Sequence, residues 1–307
     1  MDKRSLGYHS LQYWKVLKKT SLNFIEDDSF TYAAAIAYYT IFSLPAVLII
    51  AIWVGARMYE QNVVRDEMIN QVSMLIGAES AEEMERIIIN AKFDVSGPVA
   101  RTIGLATLIF SATTVFMSLQ NSLNRIWGIK AKPERGFVKY ALDRLLSLAM
   151  VISVGFILLV SLVIDALLVV LQKSVSRLLP EFTLYMLTAM NIVISLAFIT
   201  VVFALIFKVL PDATVKWRDV WIGSLITTGL FILGKYLIGF YLGSSQVGSA
   251  YGTAGSLVII LVWVYYSAAI LLFGAQFTYV YAEEIGEKIK PYKNAVKVEM
   301  IELEKTA

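Results

Sequence analysis

Long apolar runs separated by short charged stretches set the pattern of this chain. Six runs reach the ~20 mostly apolar residues that a helix needs to cross the hydrocarbon layer. They are Tyr32–Val54, Pro98–Leu119, Leu145–Leu171, Leu184–Val209, Val220–Leu242 and Gly255–Tyr281. The second is the most polar, since Thr102, Thr107, Ser111, Thr113, Thr114 and Ser118 interrupt it. Such hydroxyls can bond a carbonyl one turn back in their own helix, which lets a span contain them. In the first run Ala33, Ala34, Ala35 and Ala37 precede Tyr38, Tyr39, Ser43 and Pro45. Small residues admit a close neighbour, and Pro45 removes the N–H owed to the Ile41 carbonyl, so a kink is predicted there.

Between the first two runs, Tyr59–Ile76 and Ala81–Ala91 read as a helical pair outside the membrane. Val64, Met68, Val72 and Leu75 form one apolar stripe, and Ser80 with Glu83 has the spacing of a capping box. Near the N-terminus, Leu11, Trp14 and Leu17 are interleaved with Lys15, Lys18 and Lys19. That spacing predicts a short helix, either lying on the inner leaflet or packed under the bundle. The small, uncharged, glycine-rich connection Gly243–Gly255 reads either as part of a vestibule or as a plain outer loop. No linker, heptad or internal repeat divides the chain. The expectation is one all-α polytopic membrane domain over residues 1–307, with six transmembrane helices in one bundle and an extracytoplasmic helical hairpin between the first and second spans.

Composition agrees with this pattern: 58% of the 307 residues are hydrophobic and 17% charged, more apolar surface than a soluble fold of this size can hide. The positions of the charges add orientation. Five Lys and Arg precede the first span, six lie in the second connection, three in the fourth and five in the C-terminal tail. The alternate connections hold six in all. Nineteen against six predicts both termini in the cytoplasm. Met1–Gly7 has no apolar core behind its charges, so no cleavable leader is expected.

Chemistry is narrowed mainly by exclusion. With no cysteine, disulfides, thiolate metal sites and thiol nucleophiles are ruled out. The one histidine, His9, stands in a polar segment without companion ligands and reads as solvated. No P-loop, HExxH, GxSxG or dinucleotide fingerprint is present. Glu82, Glu83 and Glu85 fall where a solvated helix face is expected, not in the carboxylate cluster that a metal nuclease needs. The chain is therefore expected not to be an enzyme, and to use no cofactor, metal or nucleic acid.

Ionisable residues inside spans cost ~2.5–3.5 kcal/mol each on insertion scales and need an account. Asp165 lies seven residues before Gln172, and Lys235 eight before Gly243. At 1.5 Å per residue both sit roughly 10–12 Å below the outer boundary, at matching depth. Arg101 enters from the same side, at a shallower level. The three either line an outward-facing polar cavity for an ion or lipid headgroup, or Lys235 and Arg101 snorkel while Asp165 is a satisfied structural partner. Where the second span reaches the cytoplasm, Asn121, Asn124, Arg125 and Trp127 form an interface motif. Arg125 suits a lipid phosphate or the helix C-terminus, Trp127 the interfacial belt, and the asparagines bonds across helices. Tyr265 and Tyr266 in the sixth span read as helix-to-helix hydrogen bonders or as cavity lining.

Three segments carry a resemblance. They are Asp28-Ser-Phe-Thr-Tyr-Ala-Ala-Ala-Ile-Ala-Tyr-Tyr-Thr-Ile-Phe-Ser-Leu-Pro45, Leu119-Gln-Asn-Ser-Leu-Asn-Arg-Ile-Trp-Gly128, and Leu261-Val-Trp-Val-Tyr-Tyr-Ser267 through Leu272-Phe-Gly-Ala-Gln-Phe-Thr278. In order and spacing they resemble the YihY/BrkB family of bacterial inner-membrane proteins, which once carried the name ribonuclease BN. The family often has Gly-Ala-Glu where this chain has Gly274-Ala275-Gln276; any chemistry or proton coupling that needs that carboxylate is then lost here. Gln276 joins Tyr265 and Tyr266 as candidate cavity lining. The resemblance implies a six-helix inner-membrane protein acting in transport across the envelope or in its maintenance. Two functions stay open: a transporter or translocator of lipid or envelope precursor, and a structural or assembly scaffold without transport. Membrane lipids are the expected partners. Lipid-type cargo fits the basic and aromatic interface, and small solutes fit the Asp165–Lys235 pair.

Overall fold

The computed structural model describes residues 3–57, 59–76, 78–90, 98–132, 141–142, 144–150, 152–153, 180–244, 251 and 255–298. Its helices are α1 (Lys3–Glu26), α2 (Ser29–Gly55), α3 (Gln61–Ile76), α4 (Ala78–Asn90), α5 (Pro98–Ile126), α6 (Pro180–Val209), α7 (Trp217–Ser244) and α8 (Gly255–Glu284). Local chemistry marks the ends. Pro98 and Pro180 open α5 and α6, where a missing N–H costs no helical bond. Gly128 closes α5 at φ 62°, donating to the Arg125 carbonyl 3.1 Å away. Asp27 and Asp28 turn α1 into α2, with Asp28 at φ 54°.

Four helices among the described residues are long and apolar enough to cross a membrane: Ser29–Trp53, Ile192–Val209, Trp217–Ile238 and Leu257–Glu284. They match the first, fourth, fifth and sixth predicted runs. The second run forms α5, whose 29 residues give ample length but whose hydroxyls dilute its apolarity. Those hydroxyls behave as expected: Thr113 donates to the Ile109 carbonyl and Thr114 to that of Phe110, both at 2.7 Å. Most of Leu145–Leu171 lies outside the described residues, though 144–150 are helical. The loop Gly243–Gly255 is likewise mostly outside them. Helix α2 runs through Pro45. Ser111 of α5 donates to the neighbouring Phe42 carbonyl at 3.0 Å, which ties the two helices beside the proline.

Helix α8 is the hub: it packs on α7, α2 and α1, and also meets α3, α4 and α5. Against α7 the fit uses two copies of one pattern, Gly223-x-x-x-Thr227 and Gly274-x-x-x-Thr278. A Cβ on Gly223 would fall 1.9 Å from Thr278 Oγ1, and one on Gly274 1.9 Å from Thr227 Oγ1. Each threonine bonds back to its own helix, Thr227 to Gly223 O and Thr278 to Gly274 O at 2.7 Å. Each therefore turns a methyl-bearing, satisfied side chain onto the other helix's glycine.

The paired helices α3 and α4 pack together, joined by an Arg65–Glu85 contact of 3.6 Å. Val64 and Met68 bury against Ala51 and Ile52 of α2, and Met84 against Leu48 and Ile260. Helix α4 starts at Ala78, so Ser80 stands inside its first turn instead of capping it. Of the two readings of the N-terminal helix, packing under the bundle is what α1 does. Val16 buries against Phe277, Val280 and Tyr281, and Lys15 and Lys19 reach Glu284 at 3.4 and 2.5 Å. Its far side still exposes Trp14 and Ile25.

Two short antiparallel pairs, absent from the sequence reading, complete the basic end. β1 (Ile129–Ala131) pairs with β4 (Ala295–Lys297), and β2 (Ala213–Thr214) with β3 (Lys290–Pro291). They strap the segment after α8 across the loops that follow α5 and α6.

Candidate functional site

The last turn of α5 gathers most of the predicted interface motif, and the structure gives its members different tasks. Asn124 is buried and makes a two-pronged pair with the loop after α6. Its Nδ2 donates to Asp212 Oδ2 at 2.9 Å, while its Oδ1 accepts from the Asp212 amide at 2.8 Å. Trp127 is fully buried in the main core, its Nε1 donating to the Ala275 carbonyl at 3.0 Å. The interfacial-belt reading of Trp127 is thus corrected: the left-handed Gly128 folds the chain back and turns the indole inward onto α8. Only Asn121 and Arg125 remain exposed.

One residue past Ala275 stands Gln276. It is fully buried, and neither its Nε2 nor its Oε1 has a hydrogen-bond partner. It lies two residues from both Gly274 and Thr278, so it projects from the side of α8 opposite the clasp with α7. Facing it is Asp27, half-buried in the turn between α1 and α2. Burial pushes the Asp27 carboxyl above its ordinary 3.8, helped by nearby Glu26 and opposed by Arg125 and the Gln276 amide. The amide is therefore near enough to favour the carboxylate, yet no contact at its own atoms meets hydrogen-bond geometry. Three elements thus bring Asp27, Arg125 and Gln276 together at the basic end. Sequence reading missed Asp27 because its partner is 249 positions away.

The predicted intramembrane site is less fully described. Asp165 lies outside the described residues, and of Arg101 only its place in α5 is described. Lys235 is half-buried on α7. Beside it, Gly234 receives Tyr266 so closely that a Cβ there would fall 1.8 Å from the phenol oxygen. Tyr266 is thus wedged on the backbone of α7, and Tyr265 packs against the main core. Openings among the described residues include a cleft of about 650 Å³ between Leu142–Ala149 and the Asp212 and Tyr292 loops, and a groove of about 340 Å³ between α2 and α5. Among the described residues, no three His, Asp or Glu side chains converge as a metal site would require.

Known proteins give this arrangement a family. Over 257 residues the chain is 28% identical to a UPF0761 membrane protein of Stenotrophomonas maltophilia, covering 82% of this chain and 57% of that one. A UPF0761 membrane protein of Xanthomonas axonopodis pv. citri is 26% identical over 262 residues, again 82% of this chain and 57% of the other. One from Delftia acidovorans is 27% identical over 177 residues, 57% of this chain and 40% of that one. The chain thus spans 40% to 57% of the length of these relatives. No solved structure matches it. The model of the family described as Virulence factor BrkB matches residues 20–299, taking in the α1–α2 turn, the end of α5 and Gln276, and the chain belongs to that family of membrane proteins.

Proposed function

We propose that this chain is an inner-membrane transporter or translocator whose cargo is a lipid or envelope precursor. It is read with six spans, both termini cytoplasmic, and no catalytic role. The nineteen-to-six bias of basic residues supports that orientation. The length of α5 and the apolar run from Leu145 support the two spans beyond the four apolar helices. The observation that carries the reading is Gln276. Leaving a buried polar group unpaired costs about 1–3 kcal/mol, and an apolar side chain of similar size would remove that cost. In a static bundle the amide does no more than favour the nearby Asp27 carboxylate, whereas a protein that binds passing polar groups can use it fully. Asp27 and Arg125 beside it supply opposite charges at the cytoplasmic face.

The second reading, an envelope scaffold, is favoured by the α3–α4 pair. That pair carries exposed Asp66 and Glu82, with exposed Glu60 just before it. Reconstitution separates the two. Purified protein in liposomes should speed transbilayer movement of a fluorescent phospholipid in a saturable way. Gln276→Leu should lose that movement while melting at or above the native temperature. If Gln276→Leu moves lipid as well as the native chain, the amide has no part in transport. If the native protein moves no lipid or solute and instead co-purifies with a stoichiometric partner, the scaffold reading holds.

A further inference from the structure

The groove between α2 and α5 contains a guanidinium on the flank of the bundle. Arg144, at the start of the third apolar run, stacks over the Phe110 ring at 3.9 Å. Its Nη1 donates to Thr114 Oγ1 at 3.3 Å and touches Met117 Sδ at 3.0 Å. Thr114 lies twelve residues before the end of α5, roughly 18 Å along its axis at 1.5 Å per residue. The cation is therefore set well along the helix flank and not at the charged end where Lys130 and Lys132 stand. From there the groove runs past Ser118 to the exposed amide of Asn121, with Tyr32 and Tyr39 of α2 as its other wall. The described lining carries a cation, hydroxyls and an amide but no carboxylate.

The surface around it is apolar and aromatic. Tyr38, Phe42 and Phe110 are all more than half exposed, and Tyr38 meets Phe42 edge-on at 5.1 Å. In a membrane such a surface faces acyl chains. The groove's 340 Å³ falls at the small end of ligand sites, ~300–1,000 Å³, suited to a headgroup but not to the chains behind it. An arginine fork matches phosphate geometry with two parallel hydrogen bonds. We propose that this groove seats the phosphate of an anionic glycerophospholipid on Arg144, with hydroxyl and amide contacts from Ser118 and Asn121 and the acyl chains lying along Tyr38, Phe42 and Phe110. The site is independent of whether the lipid moves: it serves equally for cargo and for a permanently held lipid, so a failed flux assay leaves it untouched.

Native mass spectrometry of the whole chain in detergent tests it. Titration with phosphatidylglycerol should give one adduct at least about tenfold tighter than that of a diacylglycerol lacking the phosphate. Arg144→Gln should erase that preference, and Arg144→Lys should recover part of it. Melting without lipid shows whether each variant folds. Should Arg144→Gln not fold, Ser118→Leu, which fills the groove and keeps the arginine, should lose the same adduct. Equal binding of phosphatidylglycerol and diacylglycerol, or native binding by folded Arg144→Gln or Ser118→Leu, would overturn the proposal. So would glycerol phosphate binding as tightly as the lipid, which would make the site one for soluble anions.

Discussion

Gly274→Ala puts one methyl group where the structure leaves no room. Its carbon would stand 1.9 Å from Thr227 Oγ1 and 2.8 Å from both Thr227 Cβ and Cγ2. Rotating the threonine moves its hydroxyl and methyl but cannot relieve the 2.8 Å Cβ contact, because Cβ is fixed by the backbone of α7. Rotation also breaks the 2.7 Å bond to Gly223 O. The helices must then separate, and overpacking of this kind costs about 1–3 kcal/mol. Against that stands the gain from replacing glycine in a helix, ~1 kcal/mol. The net expectation is a loss of up to about 2 kcal/mol, or a melting temperature lower by up to some 8 °C on the scaling for large domains. Gly223→Ala should behave alike, since Thr278 meets it at 1.9 Å in the reciprocal position. Gly229 on the same helix is the control, because a Cβ there meets nothing within 4 Å. Gly229→Ala should be neutral or mildly stabilising. Thermal unfolding of the three purified variants in one mild detergent measures this. If Gly274→Ala and Gly229→Ala melt together, the α7–α8 contact is not the close clasp described above.

The Asp27 carboxyl, pushed above 3.8 by burial, binds its proton more tightly folded than unfolded, so stability should fall as pH rises through that window. Asp27→Asn should flatten this decline and melt higher than the native chain at pH 7; a steeper decline in the variant would mean that Arg125 outweighs burial. Trp127→Phe, which deletes the donor to Ala275 O, should cost about 1–2 kcal/mol of stability, where a belt tryptophan would cost almost none; unfolding monitored by circular dichroism checks it. Asn124→Ala leaves Asp212 without its two-pronged partner and should cost about 1–3 kcal/mol, seen as a lower melting temperature and faster proteolysis in the segment after α6.

Apolar period and length were enough to find α2, α6, α7 and α8 within a few residues, because a lipid-facing helix advertises itself along its whole length. The same signal found the α3–α4 pair through Val64 and Met68, although it put the start of α4 three residues late. Tertiary pairings were another matter. Nothing near Trp127 says that its indole will reach Ala275, 148 positions on, and interfacial preference pointed the other way. Gly128 held the clue, since a left-handed residue after a helix reverses the chain. Arg144 entered the sequence reading only as a charge that sets orientation, because its ring and hydroxyl partners lie on a different helix. The two strand pairs are two or three residues long, too short to show an alternating pattern.

Helix α8 joins these observations. Its Gly274–Thr278 face is closed against α7 by contacts that tolerate no added atom, while Gln276, about 200° away around the helix, carries a buried amide whose atoms make no well-formed hydrogen bond. Close-packed small residues leave α7 and α8 little freedom to slide, so the pair should behave as one body. On the other side, α8 meets the α1–α2 turn through a half-buried carboxylate, and α1 is held by Val16 and Phe24 buried against α8, with the ion pairs from Lys15 and Lys19 to Glu284 adding only ~0–1 kcal/mol each. That is the side on which Asp27, Arg125 and Gln276 meet, so α8 is clasped to α7 on one face and carries its polar cluster on the other.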